Sequence, residues 1–95
     1  MLSKLLGISA IGTGIMTTVN PGQLRITVDM TKAVEGNWDT PRRAIQVNPG
    51  VVLHVIEKRD RTVFEQNQQW WIVFIDGSGP YWMRKHWFDN VTRIV

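Results

Sequence analysis

Residues 70–84 read WWIVFIDGSGPYWMR, and this stretch decides the fold class of the chain. Residues 70–75 are all apolar, and the aromatic and β-branched side chains among them favour a buried β-strand. Residues 76–80 are aspartate, glycine, serine and proline, which are common in tight turns. Residues 81–84 begin with two aromatic side chains and predict the return strand. The stretch therefore predicts a β-hairpin whose first strand is the most buried of the chain.

Strand-like patterns lie outside this hairpin as well. Apolar and polar residues alternate with a period of two over Leu24–Met30. Residues 44–47 and 51–58 are rich in β-branched side chains, and the turn signal Asn48-Pro49-Gly50 separates them. Residues 91–95 predict a last short strand. Short strands with a turn about every 8–12 residues predict an all-β fold. Here they predict a small barrel of roughly five to six strands.

The segments between these strands predict loops and one helical turn. Residues 33–43 predict a long loop, because glycine, asparagine, aspartate and proline all occur there. Residues 57–61 predict a charged hairpin tip, and residues 62–69 predict a polar loop or an edge strand. Residues 85–89 predict a single helical turn before the last strand.

The neighbouring Trp70 and Trp71 must point to opposite faces of their strand, because side chains alternate along a β-strand. We assign Trp71 to the core and Trp70 to the second face. Ile72 and Phe74 share that second face, so it is apolar too and something must cover it. The predicted core consists of alternate strand residues: Ile26, Val28, Val47, Leu53, Val55, Trp71, Val73, Ile75, Met83 and Val91.

The amino-acid composition excludes several classes of function. The 95 residues include five tryptophans, two histidines and no cysteine, with a net charge of +3. The lack of cysteine excludes a disulfide framework, a thiolate zinc site and thiol catalysis. His86 and Asp89 have a spacing that two metal ligands could share, but no third ligand is evident in the sequence. No nucleophile lies near a base in a recognisable motif. We therefore expect a binding protein without catalytic residues, metal or cofactor.

The first 20 residues form an apolar N-terminal segment, and residues 21–95 form the predicted barrel. Leu5–Leu24 carries no charge. Packing against the barrel or a partner is the favoured interpretation, and an export signal and a membrane span are the alternatives. Glycines in the segment and the absence of an A-x-A-like cleavage site disfavour the last two. We expect a cytoplasmic protein, with export through this segment as the alternative.

The order of these segments resembles that of Src-homology-3 (SH3) domains over residues 33–95. The matching elements are a hydrophobic-x-hydrophobic pair, a glycine turn, an L-x-V-hydrophobic-E strand, a Trp-Trp strand, a glycine hairpin, an aromatic strand and a one-turn helix. In this sequence they are Ile45-Gln46-Val47, Gly50, Leu53–Glu57, Trp70-Trp71, Asp76-Gly77, Tyr81–Met83 and Lys85–Trp87. The resemblance implies an SH3-like barrel with a ligand groove beside the helical turn.

The groove of that family is only partly matched. Trp70 takes the place of its groove tryptophan, and Trp87 takes the place of its tyrosine. Arg84 stands where the family has a proline, and Glu35 and Asn37 stand where it has aromatic rings. The resemblance therefore implies the fold without implying the polyproline ligand.

Positive charge and aromatic rings alternate near the end of the chain, and this pattern predicts a binding surface. Exposed tryptophan and arginine are typical of interface hot spots. The candidate binding residues are Trp70, Trp82, Arg84, Lys85, Trp87, Arg42 and Arg43.

Two kinds of partner fit this surface. The favoured partner is another protein with an acidic surface, in which case the chain is an adaptor, an inhibitor or an assembly component such as part of a virus particle. Self-association through residues 2–19 is an open alternative. The second is single-stranded nucleic acid, whose bases stack on aromatic rings and whose phosphates contact cations.

Overall fold

The computed structural model of the protein describes residues 18–95, which form one curled antiparallel sheet and one short helix. The strands follow the order β3-β2-β6-β5-β4-β1-β7 across the sheet. The elements are β1 (Leu24–Thr27), β2 (Thr31–Asn37), β3 (Thr40–Val47), β4 (Val52–Val63), β5 (Gln66–Ile75), β6 (Ser78–Arg84), α1 (Lys85–Val91) and β7 (Thr92–Ile94). The expectation of a small, barrel-like all-β fold is confirmed.

The hairpin expected from residues 70–84 is β5 and β6. Trp71 pairs with Met83, Val73 with Tyr81, and Ile75 with Ser78. Asp76 and Gly77 form the turn, and both have a positive φ, which asparagine, aspartate and glycine tolerate best. The turn chemistry of the sequence therefore placed this hairpin correctly.

Residues 33–43 do not form the long loop that their composition indicates. They belong to β2, to β3 and to the two-residue turn between them. The two strands pair from Thr31–Val47 to Asn37–Thr40, with a bulge at Glu35/Gly36. Because β3 lies at the sheet edge and is mostly exposed, polar and charged side chains fit it without an apolar alternation. This hairpin raises the strand number to seven, above the five to six expected.

The prediction of a charged hairpin tip at residues 57–61 is also wrong. β4 continues through these residues to Val63 and pairs with β5 from Leu53–Ile75 to Val63–Gln66, with a bulge at Val55/Glu57. The turn of this long hairpin is Phe64-Glu65. Charged residues at strand positions are tolerated here because this part of the hairpin is exposed.

The core lies on one face of the sheet and largely matches the expected set. Six of the expected residues are buried: Val47, Leu53, Val55, Trp71, Val73 and Met83. Ile75 packs against them, and Val91 is half-buried. Ala33 and Phe88 complete the core.

Strand β1 is turned over relative to the expected alternation. Ile26 is only half-buried and Val28 is exposed, so both were wrongly assigned to the core. Arg25 and Thr27 are buried instead. The guanidinium of Arg25 donates hydrogen bonds to the hydroxyl and the carbonyl of Thr92, which fixes this face inward.

Helix α1 confirms the helical turn expected at residues 85–89. Phe88 points into the core and is fully buried. Lys85 Nζ lies 2.7 Å from Asp89 Oδ2, one turn along the helix, and Trp71 Nε1 donates to Asp89 Oδ1 over 3.1 Å. The helix is thereby held against β5, with Trp87 on its exposed side.

Most of the apolar N-terminal segment lies outside the described residues. The expectations for residues 1–17, which are packing, export or a membrane span, concern that part of the chain, as does self-association through residues 2–19. At its C-terminal end, Val19 packs against the core and the carbonyl of Thr18 accepts a long hydrogen bond from Arg25. Within residues 18–95, the one helix is too short to cross a bilayer.

Candidate binding groove

A groove of about 420 Å³ opens where β2, β5 and β6 meet helix α1. The aromatic and charged residues of its wall are Lys32, Trp70, Trp82, Arg84 and Trp87, and the others are Met30, Thr31, Ala33, Val34 and Ala44. The described residues of the wall include no carboxylate and no histidine. The groove is thus an apolar site whose charged side chains are both cations.

Three indole rings form a tryptophan cluster, defined here as Trp38, Trp70 and Trp82, on the sheet face opposite the core. The centroid of Trp82 lies 4.5 Å from that of Trp38 and 4.9 Å from that of Trp70. Trp38 reaches the cluster from the β2–β3 turn, with its centroid 6.0 Å from Trp70. On the second face of β5, Trp38 and Trp82 therefore lie against Trp70.

Arginine side chains lie over the rings of this cluster. The guanidinium carbon of Arg84 lies 5.5 Å from the centroid of Trp70, and that of Arg61 lies 5.1 Å from Trp82 and 5.5 Å from Trp38. Arg59 lies 5.9 Å from Trp38 and also pairs with Glu57. Arg61 and Arg84 form no ion pair with any residue between 18 and 95. A guanidinium near an aromatic ring keeps N–H donors for a carboxylate or a phosphate.

Two polar atoms of the cluster are buried without a partner. Trp70 Nε1 and Trp82 Nε1 make no hydrogen bond to the described part of the chain. Both rings line the groove. A buried donor without an acceptor costs about 1–3 kcal/mol, so the packing of the three rings holds these two indoles in place at a cost.

The structure brings four of the expected site residues together. Trp70, Trp82, Arg84 and Trp87 all line the groove. The ring of Trp87 is the accessible one, since its side chain is 57% exposed whereas Trp82 is only 3% exposed. The two residues that the SH3 resemblance placed beside a ligand groove, Trp70 and Trp87, are therefore in one groove wall.

The other three expected site residues lie elsewhere. Lys85 pairs with Asp89 and lines a separate depression. Arg43 Nε donates to Glu35 Oε1 over 2.7 Å across the β2–β3 pair. Arg42 lines another polar depression, near Tyr81. These three cations do not extend the groove into a continuous basic stripe.

Sequence reasoning missed Trp38 and did not place Arg61 in the cluster. Trp38 was hidden in a segment assigned to a loop. Arg59 and Arg61 did carry a signal, because a spacing of two residues places both on one face of a strand. Only the register of β4 against β5, which sets Arg59 opposite Trp70, shows that this is the tryptophan face.

Other kinds of site are not evident in the described residues. Between residues 18 and 95, no three histidine, aspartate or glutamate side chains are grouped as metal ligands. Comparison of the chain with family models, with curated proteins and with solved structures gave no match.

Proposed function

We propose that this protein is a non-enzymatic binding module whose partner is another protein, held in the groove beside α1. The ligand class is a short segment in which an apolar side chain lies next to an acidic residue. The observation that carries this proposal is one wall that combines the exposed ring of Trp87 with the guanidinium of Arg84, which has no ion pair among the described residues.

The apolar part of the ligand follows from the groove wall. Trp70, Trp87 and the small side chains around them offer an apolar concave surface next to solvent. Exposed tryptophans in a concave site are typical anchors of protein interfaces, because one ring buries a large apolar area.

The acidic part of the ligand follows from charge. Lys32 and Arg84 contribute the charges of the described wall, and neither forms an ion pair in the described residues. A carboxylate near Arg84 would accept two parallel hydrogen bonds from the planar guanidinium. This preference distinguishes the groove from a proline-peptide site.

Single-stranded nucleic acid fits this surface less well. Bases need open aromatic faces on which to stack. In the tryptophan cluster, Trp82 is buried between Trp38 and Trp70, and Arg61 lies over it. Trp87 is left as the one largely exposed ring among the described residues of the groove.

Selection from a random peptide library against the full chain tests the proposal. We expect the selected peptides to share an apolar residue beside an aspartate or a glutamate. Trp87→Ala should weaken their binding by about 30-fold, equivalent to roughly 2 kcal/mol, because it removes the exposed anchor. Its melting temperature should change little, since Trp87 is more than half exposed.

A charge reversal in the groove tests the acidic part of the ligand with the same peptides. Arg84→Glu should weaken the selected peptides by about tenfold or more, because it places a like charge beside their acidic residue. Leu24→Ala and Lys58→Glu are the matched controls, since both residues are exposed and lie outside the groove. If Trp87→Ala and Arg84→Glu bind like the controls, the groove is not the binding site. If an oligonucleotide binds more tightly than the peptides, with an affinity that falls steeply with salt, the partner is nucleic acid.

A further inference from the structure

The turn between β4 and β5 contains the most exposed large apolar side chain among the described residues. Phe64 is 94% exposed and lies at the end of a long hairpin. Glu65 follows it in the turn and is exposed as well. The chain therefore presents an apolar side chain directly beside an acidic one.

The backbone of this turn disfavours the residues that occupy it. Phe64 has a φ of 51° and Glu65 a φ of 64°, both in the left-handed region. Two-residue hairpin turns of this kind favour asparagine, aspartate and glycine, because most other side chains are strained there. Hairpin stability alone would therefore favour a residue other than phenylalanine here. An exposed aromatic ring at such a position indicates a contact made outside residues 18–95.

The chemistry of this turn matches that of the groove. The groove beside α1 takes an apolar side chain with a neighbouring carboxylate, and its described wall is charged only by Lys32 and Arg84. A second groove of about 370 Å³, also lined by Trp82, has Asp39, Glu57 and Arg59 as its charged residues. Arg59 pairs with Glu57, so the carboxylate of Asp39 leaves this wall with a net negative charge that would repel Glu65. Charge complementarity therefore selects the groove beside α1 as the docking site.

We infer that the groove of one copy of this protein binds the Phe64-Glu65 turn of a second copy. The inference rests on the proposed function and names its ligand. The turn and the groove are different surfaces of the chain, so the contact is head-to-tail and leaves one free turn and one free groove in each dimer. Further copies add to these free surfaces, giving a ring or an open chain.

Sedimentation velocity of the full chain, from micromolar to millimolar concentration, measures this association. The wild-type chain should form larger species as its concentration rises. Phe64→Asn should stay monomeric throughout, because it removes the docking side chain. Its melting temperature should equal or exceed that of the wild type, because asparagine tolerates a left-handed backbone. Lost association therefore cannot be attributed to lost folding.

A mixture of two variants makes the test specific for head-to-tail docking. Trp87→Ala keeps the turn and loses the groove, whereas Phe64→Asn keeps the groove and loses the turn. Each alone should be monomeric. Mixed in equal amounts, they should form a one-to-one heterodimer and nothing larger, because one functional groove and one functional turn remain.

Three outcomes would overturn the inference. The wild-type chain stays monomeric at millimolar concentration; or it associates and Phe64→Asn associates equally well, through another segment; or the two variants fail to combine. None of these affects peptide binding by the groove, which is measured separately. If instead the selected peptides bind Trp87→Ala as tightly as the wild-type chain, the proposed function itself is wrong.

Discussion

The Trp71→Ala variant is expected to lose about 3–5 kcal/mol of its free energy of unfolding, because a large buried ring leaves a cavity. Trp71 is 4% exposed and lies in the core, with its ring centroid 6.2 Å from that of Phe88. Its Nε1 also donates to Asp89, so the substitution loosens α1 from β5. For a domain of this size the loss corresponds to a fall in melting temperature of roughly 15–30 °C.

The neighbouring Trp70 is the matched control. It is half-buried, on the opposite face of β5, and its ring contacts Trp82, Trp38 and Arg84. Trp70→Ala should lower the melting temperature by less than half as much as Trp71→Ala and should also weaken the peptides selected by the groove. Denaturant unfolding of both variants checks this. Equal losses of stability would show that the two faces of β5 are packed alike, against the structure.

The difference between these two tryptophans could be predicted from the sequence. Strand periodicity alone places adjacent side chains on opposite faces. The neighbouring Val73 and Met83 confirm that the Trp71 face is the core. Where a strand is buried and bounded by turn residues, as at residues 70–84, local sequence determines both the hairpin and its inward face. The likeness to SH3 domains stays a prediction.

Strands at or near the sheet edge could not be predicted in the same way. In β3 every residue from Thr40 to Ala44 is exposed, so the segment carries no apolar signal against which loop-forming residues can be weighed. Because residues 33–43 were predicted as a loop, Trp38, in the turn before β3, was not recognised as part of a cluster. A tryptophan in an apparently polar loop is a signal that such a loop packs on something.

The binding groove was predictable only in part. Trp82, Arg84 and Trp87 are close in sequence, and a strand followed by a short helix keeps them close in space. Arg61 comes from β4, and it lies over Trp82 only because of the register of two sheet pairings. Long-range register is not encoded in any one segment, so this part of the site requires the structure.

Strand β1 shows that a side chain's own hydropathy can be outweighed by its hydrogen-bond partners. The alternation of Leu24, Ile26 and Val28 favours these residues as the inward face, yet Arg25 is the residue with no exposed surface. Arg25 Nε donates to Thr92 Oγ1 over 3.1 Å and Nη2 to the Thr92 carbonyl over 3.0 Å. Thr92 is the C-terminal capping residue of α1, and a cation near a helix C-terminus is favourable.

Replacing Arg25 tests this arrangement. Burial lowers the pKa of its guanidinium below the ordinary value, an effect that the Asp89 carboxylate opposes and Arg93 reinforces. Burial of the charged guanidinium therefore costs free energy, and its hydrogen bonds to Thr92 offset that cost. Arg25→Ala should lose about 3 kcal/mol or more of unfolding free energy, because it leaves a cavity and removes two buried hydrogen bonds to Thr92. Arg25→Met should lose less, because it fills the space and removes the buried charge.

Arg25→Lys separates geometry from charge. A lysine ammonium cannot reproduce the planar fork, and burial lowers its pKa in the folded chain. The unfolded chain then binds the proton more tightly, so the stability of Arg25→Lys relative to the wild type should rise from neutral pH toward about pH 10. Arg25→Met should show no such change relative to the wild type. Denaturant unfolding across this pH range measures the stability of both variants. If Arg25→Lys is as stable as the wild type at every pH, β1 can hold any cation at this position. The planar fork of hydrogen bonds to Thr92 would then not be what turns this face of β1 inward.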